Sequence, residues 1–161
     1  MSEGKTPVSE TALDFDVART QLRAAVDGAC ERESQWPRKV AAAIGTVLGL
    51  SASRPALMRT LTVDVFDDGF LGAQRYRHLI EGYASRLAEG REVRPGNEKL
   101  PPVTEEALIG AVARPIAEAV LMGREATLPT LAADLTEFVL LPYLGTQEAK
   151  AVAGETAGPA G

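Results

Sequence analysis

The chain has 161 residues, a formal net charge of -5, 45% hydrophobic residues and only 5% aromatics. That length suits one domain with a real core and gives little ground for two, and the acidic balance removes any global attraction toward nucleic acid or an anionic membrane. A single cysteine, Cys30, and a single histidine, His78, exclude an intrachain disulfide framework, a cysteine-rich zinc site and a histidine-based metal site within one chain.

Residues 1–10 are polar, carry Gly4 and Pro7, and read as disordered. They lack the apolar core of a signal peptide, and no run in the chain reaches membrane-spanning length, so a cytoplasmic protein with no membrane contact is expected. From Thr11 the pattern turns helical. Thr11 to Asp14 fits a Ser/Thr-x-x-acid start, and Phe15, Ala18, Leu22, Ala25, Val26 and Ala29 share one face of a first helix that runs to about Ser34.

Trp36-Pro37 opens a second helix, since proline is tolerated in the first turn, where its missing donor costs nothing. Val40, Ile44, Val47 and Leu48 form its apolar stripe, and it ends near Gly49. Ser53-Arg54-Pro55 opens a third, with Met58, Leu61 and Val65 inward. Asp67-Asp68-Gly69 is either a break or the acidic first turn of a fourth helix, whose buried face holds Tyr76, Leu79, Ile80, Tyr83, Leu87 and Ala88 and whose stop is Gly90.

Residues 91–103 hold three prolines and no periodicity and read as a long surface loop. Thr104 then caps a fifth helix to Gly123: Glu105 and Glu106 suit its positive end, Val103 can staple onto Leu108, and Pro115 predicts a kink. A sixth helix runs from Thr127, with Pro129 in its first turn, to Gly145. Leu108, Ala111, Val112, Pro115, Ala119 and Val120 recur at helical spacing in the fifth, and Leu128, Leu131, Leu135, Phe138, Val139 and Tyr143 in the sixth. Stripes this broad ask for more cover than one small domain offers, so a second subunit is expected on them. Residues 149–161 read as a disordered tail, because little in them is apolar.

The sequence calls for no enzyme chemistry. Gly69-Phe70-Leu71-Gly72 lacks the strand and lysine of a phosphate loop, and nothing places Cys30 or a serine beside His78 for nucleophilic catalysis. His78 lies off the inward stripe and reads as an exposed polar residue, and Cys30 as a small packing residue. Asp64, beside inward Val65, is either solvated or able to meet a cationic ligand in a cavity. Tyr76 and Tyr83 are either core aromatics or ligand contacts, and Trp36 is an anchor joining two helices.

Taken in order, Trp36-Pro37, Arg54-Pro55-Ala56-Leu57, the helix ending Leu87-Ala88-Glu89-Gly90-Arg91, the segment from Leu108-Ile109-Gly110-Ala111 to Val120-Leu121-Met122-Gly123, Leu128-Pro129 and the closing Pro142-Tyr143-Leu144-Gly145 give the chain a likeness from about Phe15 to Ala149. It resembles the C-terminal regulatory domain of the TetR/AcrR family of transcriptional regulators. The resemblance implies an all-α domain of about six helices over residues 11–148, a homodimer whose last two helices form a four-helix bundle, and a pocket for a small apolar or amphipathic effector. No cofactor and no metal are expected.

The ligand-facing candidates are Val47, Met58, Leu61, Tyr76, Ile80 and Tyr83, which face inward on the second to fourth helices. The dimer-interface candidates are Leu108, Ala111, Val112, Pro115, Ala119, Leu131, Leu135, Phe138 and Val139. Family members carry a three-helix DNA-binding head before the helix that here begins near Thr11, and no residue of this chain takes that role. DNA contact is therefore expected only through a missing or separate helix-turn-helix domain. The competing expectation is a dimerisation module without ligand, which would pair with a full-length repressor and have its interior filled by side chains.

Overall fold

The computed structural model describes residues 10–156, with side chains from residue 14. It is all-α, with no strand among the described residues. The helices are α1 (Glu10–Glu31), α2 (Trp36–Ser53), α3 (Pro55–Thr62), α4 (Gly69–Leu87), α5 (Thr104–Leu121), α6 (Ala132–Leu144) and α7 (Thr146–Thr156), joined in part by tight 3-10 turns. The all-α reading of about six helices is borne out, and α7 is an addition to it. The expected disorder of residues 1–9 and 157–161 lies outside the described residues, as does the Thr11 side chain expected to cap the first helix, while Glu10, expected to be disordered, already belongs to α1.

Proline sets the joints of the first half. Pro37 stands in the first turn of α2. That helix runs past the expected stop at Gly49 and ends at Ser53, because Arg54 precedes Pro55 and is pushed out of the helical region, to φ -134 and ψ 62. Pro55 then begins α3. Val65 is fully buried in the 3-10 turn Asp64–Asp68, which resolves the ambiguity at Asp67-Asp68: the acids end this turn, and α4 starts at Gly69. Asp68 pairs with Arg75 at 2.6 Å. Gly72 is required here, since a Cβ would lie 1.7 Å from the carbonyl oxygen of Val65.

Helix α2 packs against α1, α6, α7 and the 125–131 segment, while α5 packs against α3 and α4. The first-helix stripe is confirmed: Phe15, Ala18, Leu22, Val26 and Ala29 are buried, with Ala25 at the edge. Leu48, Leu61, Ile116, Leu128, Val139, Leu140 and Tyr143 form the deepest layer.

Four expectations in the second half need correction. Residues 91–103 lie largely at the surface as expected but are not plain loop, because they carry a 3-10 turn at Asn97–Lys99 and buried Asn97 pins them to the core. Thr104 does not cap α5: its hydroxyl donates to the Pro101 carbonyl at 2.7 Å, and Val103 is 62% exposed and staples nothing. Residues Glu125–Leu131, expected as α-helix, are a 3-10 segment, and the sixth helix begins at Ala132. The presumed tail continues through α7, where Ala149 and Ala153, four residues apart, are buried against the body. Alanine buries little area, but at that spacing it lets two helices approach closely. Helix α5 runs on through Pro115 as one element.

Candidate functional site

Helices α1, α2, α4 and α5 do not close completely on one another. Between them lies a cavity of about 390 Å³, within the range of small-molecule sites. One end is apolar: Leu22, Ile44, Val47, Met58, Tyr76, Ile80, Val112 and Ile116 line it. The other end lies where the turn between α1 and α2 meets the last turn of α4, and there Asp27, Cys30, Glu31, Trp36, Lys39, Tyr83, Arg86 and Glu89 contribute to the wall.

The alignment of the helices explains this split. In the amphipathic helices α1, α2 and α4, the inward positions near the middle are aliphatic, while the final turns of α1 and α4 and the first turns of α2 reach solvent and carry charge. Arg86 pairs with Asp27 at 2.8 Å and lies 5.9 Å from the centre of the Tyr83 ring. The Cys30 thiol donates to the Lys39 carbonyl at 3.6 Å, joining the end of α1 to the start of α2. Burial pushes the Cys30 thiol and the Tyr83 hydroxyl up from their ordinary pKa values, and Arg86 is the strongest charge acting against that rise at both. Burial likewise raises Tyr76. Tyr76 meets Phe66 with ring centroids 5.0 Å apart.

Behind Trp36 sits a buried polar cluster. Trp36 meets Tyr143 at 5.1 Å between ring centroids. The Tyr143 hydroxyl donates to Glu105 Oε1 at 3.0 Å, and Arg91 holds the same carboxylate with both oxygens, at 2.8 and 2.9 Å. Burial pushes Glu105 up, but the hydrogen bonds from Arg91, from the backbone and from Tyr143 outweigh it and hold the carboxyl below the usual range. Asn97 Nδ2 donates to the carbonyls of Gly90 and Tyr143 at 2.9 and 3.1 Å. Arg94 reaches the Leu144 carbonyl and Glu148, tying the 91–103 segment to the junction of α6 and α7.

Of the ligand-facing candidates, Val47, Met58, Tyr76, Ile80 and Tyr83 line the cavity. Leu61 does not: it is fully buried in the core, because the face of α3 that carries it packs against neighbouring helices. Trp36 is both an anchor and part of the wall. Asp64 is turned away from the cavity and pairs with Arg59 at 3.2 Å. His78 is exposed.

The dimer-interface candidates also require correction. Leu108, Val112, Ala119 and Val139 are buried by the chain's own helices, and Val112 and Val139 line the cavity, so no second subunit is needed to cover them. Ala111, Pro115, Leu131 and Leu135 are half-buried, and only Phe138, at 50%, stands well exposed. The cover comes from within, from α2, α3, α4 and α7. Sequence reasoning missed Lys39, Arg86, Glu105, Arg91 and Asn97 as parts of the site or its support; only the position of Arg86 one turn beyond inward Tyr83 offered a signal.

Compared with known protein families, with curated proteins and with solved structures, the chain matches none. Among the described residues, no single helix is long and apolar enough to cross a membrane.

Proposed function

We propose that this chain is the effector-sensing and dimerisation domain of a TetR-like transcriptional regulator, binding a small, mostly apolar molecule between α1, α2, α4 and α5. The observation that carries this reading is the cavity. A ligand-free dimerisation module has no use for a cleft of about 390 Å³ that leaves mostly apolar side chains uncovered between its helices. Aromatic and aliphatic walls with a few polar groups at one end are what a small-molecule site requires.

For the partner, a second copy covers the outer face of α6. Phe138 and Leu141 lie one turn apart on that face, 50% and 40% exposed, and Leu121 and Met122 stand out at the end of α5. Apolar side chains grouped in this way favour association. DNA contact belongs to a helix-turn-helix outside these residues.

Size-exclusion with light scattering tests the assembly. A dimer for the wild type at micromolar concentration, lost or badly weakened in Phe138→Asp, is expected; a wild-type monomer overturns the dimer. In a DNA titration the chain alone is expected to form no specific complex, and a salt-sensitive nanomolar site would overturn the assignment of DNA contact elsewhere.

A further inference from the structure

The cavity has a chemical polarity that narrows the ligand, granted that it is a ligand site at all. Its apolar end takes a chain or ring system with little hydrogen-bond demand, since Val47, Met58, Ile80 and Ile116 offer no polar atom and the Thr62 hydroxyl already donates to the Met58 carbonyl at 2.7 Å, leaving the Tyr76 hydroxyl as the polar group there. Its charged end contains two bases, Lys39 and Arg86, both half-buried. Two of the acids at the same end, Glu31 and Glu89, are exposed, where water and salt weaken them. The third, Asp27, is already engaged with Arg86.

A guanidinium has five N–H donors, and one ion-pair contact leaves room for a second acceptor. Lys39 has no ion-pair partner among the described residues. Lys39 and Arg86 are thus more sheltered from water than Glu31 and Glu89, while Asp27, as exposed as Arg86, is paired with it. Arg86 is also the charge that most strongly opposes the burial of Cys30 and Tyr83 on the same wall.

We infer that the cavity takes an elongated anionic amphiphile, its apolar tail between Val47, Met58, Ile80 and Ile116 and its terminal carboxylate held by Arg86 and Lys39. Recognition by two bases gives the site a preference for the charged end that an apolar cavity alone lacks. No covalent step is involved.

Three probes with one tail test this: dodecanoate, 1-dodecanol and dodecyltrimethylammonium, below their micelle concentrations. The fluorescence of Trp36, the single tryptophan, is the readout. Dodecanoate is expected to bind at least about tenfold tighter than either of the others, the gain of one charge-assisted contact. In Lys39→Gln/Arg86→Gln the ratio of dodecanoate to dodecanol affinity is expected to fall to near one. Lys39→Gln alone, which leaves the Asp27–Arg86 pair in place, is expected to lower that ratio and carries the test if the double variant does not fold.

Equal binding of dodecanol, or preference for the quaternary ammonium, overturns the anionic assignment and leaves the ligand cavity standing. Failure of all three, together with failure of the neutral probe N-phenyl-1-naphthylamine, overturns the ligand cavity and this inference with it.

Discussion

The rings of Trp36 and Tyr143 meet edge to face, with centroids 5.1 Å apart and planes at 74°. This contact joins the cavity wall to the polar cluster of Glu105, Arg91 and Asn97, because Tyr143 faces Trp36 with its ring and Glu105 with its hydroxyl. The Trp36 side of the cavity is thus held by a satisfied hydrogen-bond network rather than by aliphatic packing alone.

Gly90 makes that contact possible. A Cβ at this position would lie 2.4 Å from the Trp36 ring and 2.8 Å from Tyr143. Gly90→Ala is expected to displace Trp36, destabilise the fold by about 1–3 kcal/mol and shift the tryptophan emission. Urea unfolding followed by fluorescence checks both, and an unchanged midpoint and spectrum would contradict the packing described.

Tyr143→Phe removes one donor to a buried carboxylate and keeps the ring. A loss of about 1.5–3 kcal/mol at pH 7 is expected in chemical denaturation. The pH dependence has a definite sign. The native pKa of Glu105 is depressed, so the stability it contributes is present above its unfolded value, about 4.3, and is lost as pH falls through the native value. The gap between wild type and Tyr143→Phe is therefore expected to narrow below about pH 4.3. Tyr143 has a raised native pKa, from burial and the Glu105 hydrogen bond. Its contribution is full below its unfolded value, about 10, and falls as pH rises through the native one.

Helix α7 is part of the folded body. Ala149 is fully buried, and Ala149→Asp is expected to cost about 2–5 kcal/mol by placing an unpaired charge there. Exposed Lys150→Gln, the next residue, is expected to change stability by less than about 0.5 kcal/mol. Thermal unfolding of the two variants distinguishes an ordered helix from a tail, in which neither change would matter.

Helical periodicity made most of the fold and much of the cavity legible. Val47, Met58, Tyr76, Ile80 and Tyr83 could be nominated because three adjacent helices turn their apolar faces toward one another, and periodicity reports faces. It does not report whether a face meets a side chain or a space, which is why Leu61 looked like its neighbours and proved to be core. For the same reason it placed Val112 and Val139 at an interface when α2, α3 and α4 already covered that side.

The polar cluster was beyond reach for a different reason. Glu105 and Arg91 are 14 residues apart, and Asn97 and Tyr143 46; no local pattern marks such a pairing. The acids at Glu105-Glu106 fit a helix start so well that burial of one of them left no trace in the sequence. Helix α7 escaped notice because its buried contacts are alanines.

The central claim is that the cavity between α1, α2, α4 and α5 binds a small apolar molecule. Val47 lines it, and Val47→Phe adds bulk where there is space to receive it, so the fold is expected to keep its stability to within about 1 kcal/mol. The most direct measurement is titration of N-phenyl-1-naphthylamine against wild type and Val47→Phe, following energy transfer from Trp36. Saturable binding of one probe per chain, weakened more than about tenfold in the variant, is the expected result. A wild type that shows no saturable binding, or a folded Val47→Phe that binds as well as the wild type, would contradict the account.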